Sequence, residues 1–392
     1  MISITLNKAL RYFIYGLIIF YVSACVSVSQ IAHQIVTPAQ QTKFSAISDT
    51  LAQPFYRTQL SLAVSAPDKG TINAAIIDPG AYDPEIGLRY KPYHSTAYYT
   101  LNFPLLPAPP DTPEFNKRAK AHPAAVYAQR LDKWLANVKK QKPVGTIILL
   151  SGFDMNKASM LSWALFFADR GWRVVLVDLR GQGSSKSPYL TWGIRDRSDL
   201  SRLVKLLDMK GELVRPWVYF GVSYGAGVAL MAANRHESPD GVIAIAPWDT
   251  AAGVIPRFGR SVGGWLVPSE KSNKWQLAEE QAGKLANINL ADARPIDTIA
   301  SIKSPILIIG GSSDQIAPAS TLKNMATHSN NSTVVLEDGL GHIAIVADIP
   351  GLCSVITGWL NQYINGQNQD KLACKVKKSV INKSIQLIYT GY

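Results

Sequence analysis

Trp217-Val218-Tyr219-Phe220-Gly221-Val222-Ser223-Tyr224-Gly225 is a short apolar run that ends in Gly-x-Ser-x-Gly. The run Trp217–Phe220 reads as a buried strand, and a helix is expected to start at Tyr224. A serine hydroxyl is a poor nucleophile until a base takes its proton. A sharp turn from strand to helix pushes that hydroxyl out of the sheet. The glycines on either side let crowded backbones pass. Ser223 is therefore the candidate nucleophile. The five-residue pattern is common by chance, so its surroundings must carry the argument.

Working outward, residues 145–247 and 305–365 alternate short apolar strands with helices. Thr146–Leu150, Trp172–Val177, Val242–Ala246, Pro305–Ile309 and Thr333–Leu336 read as further strands, the last of these closing the series. Lys157–Arg170 and Arg195–Met209 read as helices, the first stopped by Gly171. This rhythm predicts an α/β fold, with a mostly parallel sheet covered by helices on both faces. Interval 248–304 breaks the rhythm and is far longer than a usual connection. It carries Trp248, Trp265 and Trp275 and is expected to cap the C-terminal edge of the sheet.

Two later strands supply partners for Ser223. The strand at Ile306–Ile309 runs into Gly310-Gly311-Ser312-Ser313-Asp314, and Thr333–Leu336 leads into Gly339-Leu340-Gly341-His342. Sites in parallel sheets lie beyond the C-terminal ends of strands. His342 is thus the expected base and Asp314 the expected acid, in the order Ser, Asp, His. Asp249, after the strand ending at Ala246, is the alternative acid. The other histidines, His33, His94, His122, His236 and His328, fall away from strand ends. Two backbone N–H groups must receive the oxyanion. They are expected from Tyr224 and from Phe153, in the loop Ser151-Gly152-Phe153-Asp154.

These residues resemble the α/β-hydrolase fold, in particular its monoglyceride lipase-like and serine aminopeptidase-like branch. The elbow at Ser223 and the placement of Asp314 and His342 carry the likeness. So does Asp178-Leu179-Arg180-Gly181-Gln182-Gly183-Ser184-Ser185, which looks like the family's Asp-x-Arg-Gly-x-Gly-x-Ser loop. The resemblance covers residues 145–365 and departs in one place. The family usually has His-Gly in the oxyanion loop, where this chain has Ser151-Gly152. The resemblance implies a serine hydrolase without metal or organic cofactor. Three readings stay open: cleavage of a carboxylic ester with an acyl chain, cleavage of a peptide or amide, and a silent hydrolase fold used as an envelope scaffold.

The ends of the chain bear on location. Lys8 and Arg11 precede an apolar run, Tyr12–Val22, of signal-peptide length. It leads into Val22-Ser23-Ala24-Cys25, which resembles a bacterial lipobox with Cys25 as the lipidated residue. The expectation is a signal peptide over 1–24, a tether over 25–45, and an envelope protein held to the membrane by lipid. Val26, rather than Asp, leans by resemblance toward an outer membrane. The competing reading is an uncleaved anchor. With Cys25 lipidated, Cys353 and Cys374 remain as an even pair available for a disulfide. Residues 46–144 form an N-terminal extension without an assigned role, with Thr96–Phe103 readable as a strand and Ala124–Lys140 as a helix. Residues 366–392 form a tail.

Composition sets the outer bounds. Hydrophobic residues make up 47% and charged residues 17%, enough for a large core and too apolar for a disordered chain. The formal net charge is +12, but the basic residues are scattered and their densest spots, Lys139–Lys142 and Lys375–Lys378, are short. This is read as a solvated surface with some pull toward anionic membranes, not as a nucleic-acid interface.

Overall fold

The computed structural model describes residues 26–37, 49, 51–65, 68–90, 96–103, 111–234, 237–364 and 385–390. The elements in chain order begin with helix α1 (Val28–Val36), strands β1 (Thr58–Ala63), β2 (Thr71–Ile77), β3 (Glu85–Tyr90) and β4 (Thr96–Asn102), and helices α2 (Pro113–Ala121) and α3 (Pro123–Leu135). Next come β5 (Gly145–Leu150), α4 (Leu161–Ala168), β6 (Trp172–Asp178), α5 (Asp196–Met209), β7 (Trp217–Val222), α6 (Tyr224–Ala232) and β8 (Gly241–Ile245). The interval that follows holds α7 (Ala251–Gly263), α8 (Lys274–Ala286) and α9 (Pro295–Ile299). The chain then continues through β9 (Ile306–Gly311), α10 (Ala319–Ala326), β10 (Ser332–Glu337), α11 (His342–Ala347), α12 (Ile349–Tyr363) and β11 (Ile385–Thr390).

Among the described residues, eight strands form the main sheet in the order β1-β2-β6-β5-β7-β8-β9-β10. From β6 to β10 every neighbouring pair is parallel. Strands β5, β7, β8 and β9 are buried along their whole length, as continuous apolar runs covered on both faces require. The fold class is therefore the one expected.

Four regions differ from the sequence reading. The N-terminal extension is not separate from the sheet: β2 pairs antiparallel with β6, and β1 with β2. Residues of β1 alternate between half-buried and exposed, as an edge strand does. The stretch 26–45, expected as a tether, instead contains α1, which packs on α8. Ser27 and Gln30 form a reciprocal cap at its start, and Ile31, Ala32, Ile35 and Val36 are buried. The series of strands does not close at Leu336, because β11 pairs with β4 in a second, three-stranded sheet with β3. Finally, α3 stops at Leu135 rather than Lys140. The Asn137 side chain donates to the Lys133 carbonyl at 2.9 Å, competing with the helix ladder. Its expected face, Val126, Leu131, Trp134, Leu135 and Val138, is nevertheless the buried one.

Buried charge ties the N-terminal region to the core. Arg180 is fully buried; its Nε donates to Asp199 at 2.5 Å and its Nη2 to Ser65 Oγ at 2.9 Å, while Nη1 pairs with Asp68. Lys157 Nζ meets Asp178 at 2.9 Å, and both side chains are buried. Asp178 also accepts from the Ser184 N–H and Oγ, at 2.9 and 2.7 Å. No helix of the described residues is long and apolar enough to cross a membrane. Cys25, Cys374 and the apolar run 12–22 lie outside the described residues. Cys353 is buried and disulfide-bonded.

Candidate active site

Ser223 occupies the turn between β7 and α6 at φ +51° and ψ −115°. Positive φ is unfavourable for a residue with a Cβ, and it persists only where neighbours enforce it. The flanking glycines are part of that enforcement. A Cβ on Gly221 would stand 2.3 Å from the Gly225 carbonyl oxygen, and one on Gly225 would stand 2.3 Å from the Leu150 carbonyl oxygen. Helix α6 can approach β7 this closely only without a side chain at Gly221, and β5 only without one at Gly225.

The two expected partners converge on this hydroxyl. Ser223 Oγ lies 2.8 Å from His342 Nε2, and His342 Nδ1 lies 2.7 Å from Asp314 Oδ2. His342 is the first residue of α11, just past β10, and Asp314 follows β9. The Asp314 carboxylate is buried, and its Oδ1 accepts from the N–H groups of Ile316 and Ala317 at 2.8 and 2.9 Å. With Nδ1–H donating to Asp314, the Nε2 lone pair faces the serine hydroxyl. Asp249 does not reach the imidazole. Its Oδ1 accepts from Arg257 Nη2 at 3.1 Å near the start of α7.

The oxyanion loop shows what stands in for the missing histidine. Gln182 is buried, and its Nε2 donates to the Gly152 carbonyl at 2.9 Å, while the Ser151 hydroxyl donates to Gln182 Oε1 at 3.3 Å. A side chain from the Arg180-Gly181-Gln182-Gly183 loop thus fixes the turn carrying Phe153. Gln182 was missed as a site residue. Its sequence position inside a recognised supporting loop was a usable signal. A Cβ at Gly152 would lie 3.8 Å from Ser223 Cβ, so this turn borders the nucleophile. Tyr224 supplies the first N–H of α6, which has no acceptor within the helix.

Aromatic rings pack together beside the elbow. Phe153 contacts Phe258 of α7, Trp192 and Tyr224, with ring centroids 5.3, 5.9 and 6.0 Å apart. Trp248 is buried and donates from Nε1 to the Tyr224 carbonyl at 3.1 Å, while buried Trp275 donates to the Ser269 carbonyl at 3.0 Å. Both therefore brace the fold. The side chain of Trp265 lies outside the described residues. On α8, burial pushes the half-buried Glu279 carboxyl up to about 7.

The model of the alpha/beta hydrolase family matches residues 147–348, just over half of the chain. The chain belongs to the alpha/beta hydrolase family. The matched region holds Ser223, Asp314, His342 and Gln182, and leaves out α1, β1 and β2. An uncharacterized Bacillus subtilis (strain 168) protein, YqkD, is 27% identical to this chain over 183 residues, 46% of this chain and 58% of YqkD. The alignment thus spans less than two thirds of that relative. Solved structures of similar shape include an esterase from Pyrococcus furiosus, with a TM-score of 0.49 and 15% identity over 80% of this chain and 93% of that one. A membrane phospholipase A described as a bacterial virulence factor has a TM-score of 0.47 and 15% identity, over 90% of this chain and 99% of its own. A hydrolase from Pseudomonas aeruginosa has a TM-score of 0.47 and 15% identity, over 78% and 99%.

Proposed function

We propose that this protein is a serine hydrolase that cleaves a carboxylic ester bearing an acyl chain, held to the cell envelope by lipid on Cys25. The observation that carries the chemical reading is the continuous relay Ser223–His342–Asp314, with contacts of 2.8 and 2.7 Å, at the C-terminal edge of the sheet. In the first half-reaction Ser223 Oγ attacks the carbonyl carbon while His342 Nε2 takes its proton. The N–H groups of Tyr224 and Phe153 receive the oxyanion. Collapse expels the alcohol, which leaves with the proton from His342. Water then attacks the acyl-enzyme, gives a proton to His342, and releases the acid as Ser223 regains its hydrogen. Asp314 orients the imidazole and offsets its positive charge throughout.

The half-buried rings of Phe153 and Phe258, in contact beside the elbow, favour an apolar acyl group, such as that of a lysophospholipid or a short-chain ester. Amide cleavage with a free substrate amine would need a standing anion in interval 248–304. Of the glutamates there, Glu270 and Glu280 lie exposed, and burial favours the neutral form of Glu279.

Labelling by a fluorophosphonate probe tests the chemistry. The wild-type protein is expected to label, and Ser223→Ala to lose all labelling. An unlabelled wild type, or equal labelling of the variant, would overturn the reading. The anchor is tested separately by fractionation. Cys25→Ser is expected to leave the membrane fraction at least in part, and full retention there would contradict lipidation.

A further inference from the structure

Helix α1 lies far from Ser223 in sequence and outside the family-matched region, yet its last turn is bonded to the site. The final carbonyls of a helix have no partner within it. Here two of them are claimed by the loop between β6 and α5. The Trp192 indole Nε1–H donates to the Ile35 carbonyl at 3.0 Å, and the Leu190 N–H donates to the Val36 carbonyl at 2.8 Å. Trp192 in turn reaches the elbow. Its backbone N–H donates to the Tyr224 hydroxyl at 3.0 Å, and its ring meets those of Tyr224, Trp248 and Phe153 at 5.4, 5.5 and 5.9 Å. Trp192 is 4% exposed and sits at φ +48°. A bulky residue in the left-handed region must be held there by its surroundings. The surroundings that hold it are α1 on one side and Tyr224 on the other.

We propose that Trp192 is a positioning residue for acyl transfer, and that α1 is the element that sets it. The inference rests on the serine-hydrolase reading and adds a second requirement to it. Tyr224 carries one oxyanion N–H and Phe153 the other, and Trp192 touches both side chains. Trp248 clamps Tyr224 from the opposite end, through its carbonyl. Undocking α1 would remove the Ile35 acceptor, free the indole and loosen both donors together. A shift of about 1 Å at such a site can cost up to about a hundredfold in rate.

The test compares Trp192→Phe, which keeps a ring but loses the N–H to Ile35, with Ile31→Asp/Ile35→Asp, which puts charge into the buried face of α1. All are made in the full chain, and all are combined. Rates on a soluble short-chain ester are divided by the number of sites titrated with fluorophosphonate. Each change is expected to lower kcat per titrated site by roughly tenfold. The combination is expected to cost no more than the worse parent, because both break one bridge. An unchanged kcat per site with only a lower melting temperature would make α1 a simple stabiliser and overturn the proposal. Effects that multiply would overturn it too, since they would mean separate routes.

Hydrogen–deuterium exchange supplies an arm that needs no activity. Undocking α1 is expected to speed exchange in peptides covering 188–194 and 221–226 and to leave 306–311 unchanged. Unchanged exchange at the elbow would refute positioning even in an active enzyme. A wild type that takes no fluorophosphonate would instead refute the serine-hydrolase reading, and the exchange result would still stand for or against the link.

Discussion

His342→Ala is expected to lower kcat on an ester substrate by roughly 10⁴- to 10⁶-fold while KM changes little. The imidazole Nε2 stands 2.8 Å from Ser223 Oγ, and alanine leaves the hydroxyl with its proton. Asp314→Asn should cost roughly 10⁴-fold, since an amide can hold the ring in the wrong tautomer. Combining the two should cost little more than His342→Ala alone, because the groups act as a unit. Steady-state kinetics on purified variants checks this. If His342→Ala kept a substantial fraction of the wild-type rate, the base would have to be another group.

The second large effect concerns stability. Arg180→Met is expected to cost about 3–5 kcal/mol, because it leaves buried Asp199 without its guanidinium partner. Burial works against the charge on Arg180, but hydrogen bonding and attraction to Asp199, Asp196 and Asp68 hold it firmly protonated. Methionine keeps the stem's packing and removes the charge. The loss should also free Ser65 and Asp68, the residues that hold the N-terminal region against the core. A fall in melting temperature of roughly 5–10 °C is expected by thermal unfolding. A variant that melted within about 2 °C of wild type would show that the network is neutral.

The parts of the site that could be read from sequence are those set by local chain geometry. Ser223, Asp314 and His342 each come within a few residues of a strand's C-terminal end, at Val222, Gly311 and Glu337, so strand ends alone point to them together. The parts that could not be read depend on pairing across long separations. Strand β2 joins β6 from a hundred residues away, and β11 joins β4 from nearly three hundred. Nothing in the local pattern of either strand names its partner. Gln182 is a mixed case, since its loop is recognisable in the sequence but only the fold brings it under Gly152, 30 residues earlier. Helix α1 is different. Residues 26–45 read as polar, small and without strong periodicity, hence as a tether, yet Ser27-x-x-Gln30 and the apolar set Ile31, Ala32, Ile35 and Val36 are the marks of a capped amphipathic helix.

The strand order has a bearing on when the protein becomes reactive. Ser223 leaves the ribosome more than a hundred residues before His342, and the strands that carry Asp314 and His342 lie at the far edge of the sheet. A growing or partly translocated chain can therefore present its nucleophile without a base. The triad is complete only once β9 and β10 are in place, so its assembly reports that the far edge of the sheet has formed.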